Sequence, residues 1–326
     1  MSSDPFVDLA RGVGSLAESL IVLFNRNGPP TPGSPADKEA DGEPYAGKWS
    51  KHPSRDVVAT MVLASWSCID HMRALAAVLE SRRSMAALYT LARAVAEAAV
   101  VPCYLSEMDI DPLERVRRNM NYHLEGICQD LNMLGKFTSA EAKQKVTRHE
   151  AHMAAIKCTG EQYGFAFKDR DRHRSAYLGD PPKSAMKLID ECAAQTQGVG
   201  ALSYQMFCGV AHARLHGLSR FMSTEGMPAP DQPGKVRFEM NISARDLAQQ
   251  LFAAPMCVLT LIEQLRWFLG WSMEDVDKAA ILMENIWCRI AGVPYEGRLL
   301  RSDAAIQESC TPSASPVRHV PGEAIS

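Results

Sequence analysis

Two stretches of this chain are apolar almost all the way round a helix, and they decide what it can fold into. Ser84 to Ser106 carries only Arg93 and Glu97 as charges, and the run from Val199 through Ala211 carries none. A helix without a polar face must be enclosed by other elements. The neighbouring segments read as the enclosure. Phe6, Leu9, Val13, Leu16, Leu20 and Leu23 recur at three and four, giving an amphipathic helix over 6–24. Ser54 to Glu80 reads as a long helix. Asp111-Pro112-Leu113-Glu114 starts another that runs to Leu134, and Ser139 with Glu141 opens one reaching Tyr163. Further helices are expected from Asp180 to Ala194, from Val199 without a break to Met222, from Ser243 to Leu269 with an interruption at Pro255, and from Ser272 to just before Gly292. Phe167 to Pro182 reads as a loop. Lys235 to Ile242 is the one segment that alternates like a strand.

The expected fold is therefore all-α, a multi-helix bundle of seven or eight helices with an N-terminal helical arm and a disordered C-terminal tail. Its parts are an amphipathic arm over 1–26, a flexible Pro/Gly-rich linker over 27–52, the bundle over 53–292 and the tail over 293–326. The apolar stripe of the arm has to be covered, by its own body or by a second copy, so a homodimer joined through this helix is expected.

Charge and cysteine usage bound the function. A net charge of −3 gives no polybasic signature, which argues against a general binder of nucleic acid or anionic membrane. The nine cysteines stand singly with no C-x-x-C pair, so they form neither a disulfide framework nor a zinc ribbon. That usage points to a reducing, cytoplasmic setting. Met1 to Pro5 lacks the pattern of a signal peptide. The best membrane candidate, Leu251 to Trp271, contains Glu263, Gln264 and Arg266 and reads as a buried helix, so no membrane partner is expected. No glycine-rich phosphate loop, Gly-x-Ser-x-Gly or His-Glu-x-x-His occurs, and no cofactor is expected.

Three sets of residues are candidates for chemistry. Arg93 and Glu97 lie four apart on one helical face, either holding and orienting an anionic group or forming a structural ion pair. As polar exceptions on apolar faces, they are expected to meet His212 inside the bundle, with Asp70 or Tyr204 behind them. His212 and His216, four apart, could hold a metal ion on a continuous helix or serve as core histidines. Arg118 and His123 form an Arg-x4-His pair near a helix start. His149 and His152 read as part of a solvated face, and so does the charged run from Lys168 to Arg174.

Asp70-His71-Met72-Arg73-Ala74-Leu75, Arg93-x3-Glu97, Glu114-Arg115-x-x-Arg118 and Cys208-Gly209-Val210-Ala211-His212-x-Arg214 occur in this order over residues 55–220. Together they resemble a family of all-helical bacterial proteins for which no activity is established. The resemblance implies a helical fold and weight on these positions, and it supplies no reaction. A tryptophan is usual in that pattern where this chain has His216. Arg118, Asn119 and His123 also resemble the motif of HEPN-type helical ribonucleases, in which the Arg and His of two protomers face one another. That resemblance implies a metal-independent ribonuclease. The leading expectation is a cytoplasmic helical protein that acts by association or regulation, with the ribonuclease and a metal-binding bundle as alternatives.

Overall fold

The computed structural model describes residues 4–169, 175–193, 198–219, 222–223, 239–240 and 242–294. Among them the fold is all-α, with twelve helices and two minimal two-stranded pairs. At the centre is α4 (Met85–Leu105), the apolar helix bearing Arg93 and Glu97, and it continues through Pro102. It packs against α3 (Pro53–Ser81), α7 (Ala185–Cys192), α8 (Val199–Ala211) and α11 (Ala253–Leu269), and along one edge against α5 (Pro112–Leu134). Leu88, Tyr89, Ala92, Ala96 and Ala99 are fully enclosed there.

The first helix, α1 (Pro5–Arg26), belongs to this core. It lies against α3 and α12 (Glu274–Ala291), with Leu9, Leu16 and Leu20 completely buried. Gly12 makes the approach possible, because a Cβ at that position would sit 3.3 Å from Met283 Cα. The buried carboxylate of Asp8 accepts from Arg11 on its own helix and from Arg289 on α12, each at 2.8 Å. The expected arm is thus an internal helix. Its stripe is already covered by its own chain, so it does not need a second copy.

The expected linker is a fastened strap. Thr31 donates to the Leu269 and Gly270 carbonyls at 2.8 Å, and Trp271 Nε1 donates to the Pro29 carbonyl at 3.1 Å. A short helix, α2 (Pro35–Ala40), begins at the Ser34 cap and places Glu39 beside Arg115. Farther on, Trp49 N and Tyr163 Oη tie the strap to α6 (Ala140–Gln162) and its C-cap residue, through Thr159 Oγ1 and the Ala46 carbonyl respectively, each at 2.9 Å. Proline and glycine here gave irregular backbone; side-chain and carbonyl bonds fixed it.

Three expected boundaries move. The helix from Val199 ends at Ala211: Ala213 takes a left-handed φ of 50°, Arg214 N returns to the Gly209 carbonyl at 2.8 Å, and a single turn, α9 (Leu215–Leu218), folds back. A Cβ at Gly217 would meet Gly209 C at 2.4 Å, so two glycines let the turn close against the helix. The break expected at Pro255 falls instead at 251–252, between α10 (Ala244–Gln250) and α11, which cross at 51°. Pro255 sits in the first turn of α11, where its missing N–H costs nothing. Third, Ser184 rather than Asp180 caps α7, accepting from Lys187 N at 3.3 Å.

Within the expected loop, β1 (Phe167–Lys168) pairs antiparallel with β2 (Tyr177–Leu178). The short strand of the 235–242 segment is β4 (Glu239–Met240), paired with β3 (Met222–Ser223); most of that segment, and the tail from 295, lie outside the described residues. Residues 170–174 of the basic run do too.

By length and composition alone, α3 and α4 are long and apolar enough to cross a membrane, and so are α10 and α11 if they are taken as one bent span over the Leu251–Trp271 segment. The exposed face of α3 carries Arg55, Asp70, Arg73 and Glu80.

The core position of α1 sets an expected outcome. Leu16→Ala is expected to lower the unfolding free energy in urea by about 2–5 kcal/mol, the range for emptying a buried leucine site. A loss under about 0.5 kcal/mol would be the mark of a free arm.

Candidate functional site

The N-terminal half of α5 presents four charged side chains to the fold. Asp111 caps it, accepting from Leu113 N at 2.8 Å, and Pro112 fills the position that needs no donor. The next turn brings in Glu114, Arg115, Arg117 and Arg118, the three arginines all buried. Each guanidinium finds several acceptors. Arg115 binds Glu39 and the Leu105 and Glu107 carbonyls. Arg117 makes a two-pronged pair with Glu114 at 2.6 Å and donates to the Leu178 and Asp180 carbonyls at 2.7 and 2.9 Å. Arg118 binds Glu107, Glu114 and, at 2.7 Å, the Tyr104 carbonyl. Burial pushes the Glu114 carboxyl up, but the hydrogen bonds from Arg117 and Arg118 win and hold it below its usual range. For Glu39 burial wins over Arg115, and its carboxyl is raised.

Asn121, one turn on, pairs its amide with both backbone groups of Leu178, at 2.7 and 3.1 Å. This holds β2 against α5 as a strand partner would. Between α4, α5 and the segment 175–188 lies a cavity of about 540 Å³. Val100, Val101, Leu105 and Leu188 supply apolar wall. Arg118 forms part of the lining, its guanidinium 4.2 Å from the centre of the Tyr104 ring. Lys183 lies 5.7 Å from the same ring and pairs with Glu191 at 2.8 Å.

At one end the cavity reaches Glu97. There the structure brings together the polar exceptions of the two apolar helices. Glu97 Oε1 accepts from Arg93 Nε at 2.9 Å and from Tyr204 Oη at 2.8 Å. Arg93 also reaches Tyr204 Oη and His212 Nε2, both at 3.5 Å. Burial and donation to Glu97 raise the Tyr204 phenol. Two features differ from expectation. The cluster sits at the bundle surface, with the Arg93 and Glu97 side chains 24% and 36% exposed, and Asp70 is exposed on α3, outside it.

The other pairs are taken apart. His212 caps α8 and His216 lies on α9, so the two do not share one helical face; a Cβ on Gly209 would sit 2.7 Å from His216 Nε2. Among the described residues no group of three His, Cys, Asp or Glu side chains is arranged for a metal ion. Arg118 and His123, five apart, point about 140° away from one another around α5. Arg118 lines the cavity, whereas His123 faces Thr60 Oγ1 at 3.5 Å and the Trp49 ring at 5.4 Å. His152, expected on a solvated face, is exposed but accepts from Trp49 Nε1 at 3.1 Å and stands 6.2 Å from His123.

Sequence patterns did not find the cavity, Asn121 or Lys183. An asparagine amid a buried arginine series was the one local signal for Asn121. Comparison with family models, curated proteins and solved structures gives no match.

Two expected outcomes follow from this geometry. An ion pair this exposed contributes on the order of 0.2–1 kcal/mol, so Glu97→Gln is expected to cost no more than that in a denaturant melt. Burial, and then the neighbouring His152, lower the His123 pKa. The unfolded chain, titrating near ~6.5, therefore takes up the proton first. The histidine's contribution is fully present above that value and is lost as pH falls through it. Melting temperature is expected to drop between pH 7.5 and 5.5, and to drop less in His123→Gln.

Proposed function

We propose that this protein is a regulatory binding protein rather than a catalyst, one that takes a small amphipathic ligand into the cavity between α4, α5 and α7. The observation that carries this reading is the cavity itself: about 540 Å³, within the range of small-molecule sites, with mainly apolar walls and a few fixed polar groups. Arg118 is held by Glu107, Glu114 and a carbonyl before any ligand arrives, so it orients a guest without needing to reorganise. Tyr104 and Tyr177 give the lining aromatic surface. The free thiols favour a reducing, cytoplasmic setting. The ribonuclease and metal alternatives draw no support from the separated Arg118/His123 and His212/His216 pairs.

The test uses 1-anilinonaphthalene-8-sulfonate, an amphipathic aromatic anion whose fluorescence rises in apolar sites. One saturable site per chain is expected. Ala185→Trp, which fills the cavity from the first turn of α7, is expected to weaken it at least tenfold while the circular dichroism melt stays in place. Binding that Ala185→Trp leaves unchanged overturns the reading.

A further inference from the structure

Three cysteines that stand far apart in the chain meet where α4, α7 and α11 converge. Cys103 lies on α4, Cys192 ends α7 and Cys257 lies on α11. The side chains of Cys103 and Cys257 both lie within interaction range of Cys192. The Cys192 carbonyl is held as well, accepting from Thr260 Oγ1 of α11 at 3.1 Å. Exposure separates the three. Cys192 is half-buried, whereas Cys103 and Cys257 are buried.

We propose that Cys192 is a peroxide-reactive thiol and that Cys103 is its resolving partner, so that oxidation joins α7 to α4 by a disulfide. The chemistry balances with hydrogen peroxide as the oxidant. The Cys192 thiolate attacks one peroxide oxygen, the O–O bond breaks, and the leaving hydroxide takes up a proton as water. Cys192 is then a sulfenic acid. The Cys103 sulfur attacks the Cys192 sulfur, the S–O bond breaks, and the hydroxide leaves with the Cys103 proton as a second water. Two thiols have lost two electrons, and one peroxide has become two waters.

The division of roles follows from the local chemistry. Hydrogen bonds from Cys103 and then from Cys257 stabilise negative charge on Cys192 and pull its pKa below the usual thiol value, against burial and the nearby Glu191 and Glu107. Cys103, the donor to Cys192 and buried besides, is held protonated. Thiolate character and access together select which cysteine meets an oxidant first. Cys68 shows the contrast: enclosed, with its thiol pushed up to about 12 and bonded to the Val95 carbonyl at 3.6 Å, it is an inert core residue.

The consequence is mechanical. Val101, Tyr104 and Leu105, close to Cys103 on α4, and Ala185 and Leu188, ahead of Cys192 on α7, all line the cavity. The disulfide would pin these walls to each other. The redox step itself stands apart from any ligand.

The experiment treats the full chain with one equivalent of hydrogen peroxide at pH 7. Free thiols are then blocked with N-ethylmaleimide, and tryptic peptides are mapped by mass spectrometry. The expected product is a Cys103–Cys192 disulfide, with Cys192 consumed at least ~10-fold faster than the partly exposed Cys158 and Cys208. Cys192→Ser is expected to lose the disulfide and keep its circular dichroism spectrum. In Cys103→Ser, dimedone is expected to trap a sulfenic acid at Cys192. Oxidation of Cys192 no faster than of Cys158 and Cys208 overturns the proposal, and so does a disulfide that joins Cys192 to any residue other than Cys103. Should Cys103→Ser fail to fold, the native chain and Cys192→Ser still decide between these outcomes.

Discussion

Helix α4 can leave only the narrow face of Thr90, Arg93 and Glu97 in water. Twenty-one residues with a single charged pair leave a large apolar area around the whole cylinder, and each fully buried large side chain is worth roughly 1.5–3 kcal/mol. One partner helix covers one stripe, so covering the rest takes several. The chain supplies α3, α7, α8 and α11, drawn from all along residues 53–269, and these four define the bundle. The remaining elements cover what this arrangement exposes. α1 covers one side of α3, α12 packs on α1 and α10, and the strap crosses from the end of α11 to α6.

The second constraint is electrostatic. Three arginines of α5 are buried within one turn, and a desolvated guanidinium is costly unless its donors are occupied. The fold meets that demand with the carboxylates of Glu39, Glu107 and Glu114 and with carbonyl oxygens at the ends of helices and strands. The Tyr104, Leu105 and Glu107 carbonyls lie where α4 ends, and the Leu178 and Asp180 carbonyls lie where β2 ends. The arginines thus join three separate stretches of chain: the strap at Glu39, the end of α4 and the end of β2. One consequence is the cavity: tying the 175–188 segment down at Leu178 and Asp180 leaves space between that segment and α4.

What was legible in the sequence was whatever is local. Asp111, Ser139 and Ser243 were read as caps, and each accepts a backbone hydrogen bond in the first turn of its helix. The meeting of Arg93, Glu97 and His212 followed from their being polar exceptions on helices that had to pack together. Long-range facts left no such trace. The strap has linker composition, and it is ordered by bonds to other elements, from Pro29 and Thr31 to the end of α11, from Glu39 to Arg115, and from Ala46 and Trp49 to α6 and its C-cap residue. The helix expected through Met222 contains no proline before its break at Ala211; a pair of glycines eight residues apart, at 209 and 217, was the signal for the fold-back. The thiol cluster was the least legible, since Cys103, Cys192 and Cys257 follow no spacing rule at all.

These threads cross at α7. Eight residues are too few for a helix to persist in water by itself, so its position is set by what it packs on: α4, α8 and α11. Asp190 holds the start of α8 through Ala201 N at 3.0 Å, and a Cβ on Gly200 would come within 2.7 Å of Asp190 Cα, so α7 and α8 sit as close as two backbones can. The first turn of α7 faces the cavity and its last residue enters the thiol cluster. α8, which it steadies, presents Tyr204 and His212 to Arg93 and Glu97. A small displacement of this one short helix would therefore change the cavity wall, the cysteine contacts and the surface polar cluster together. An element with so little intrinsic stability and so many dependants is where a ligand or a covalent tie has the greatest leverage on the bundle.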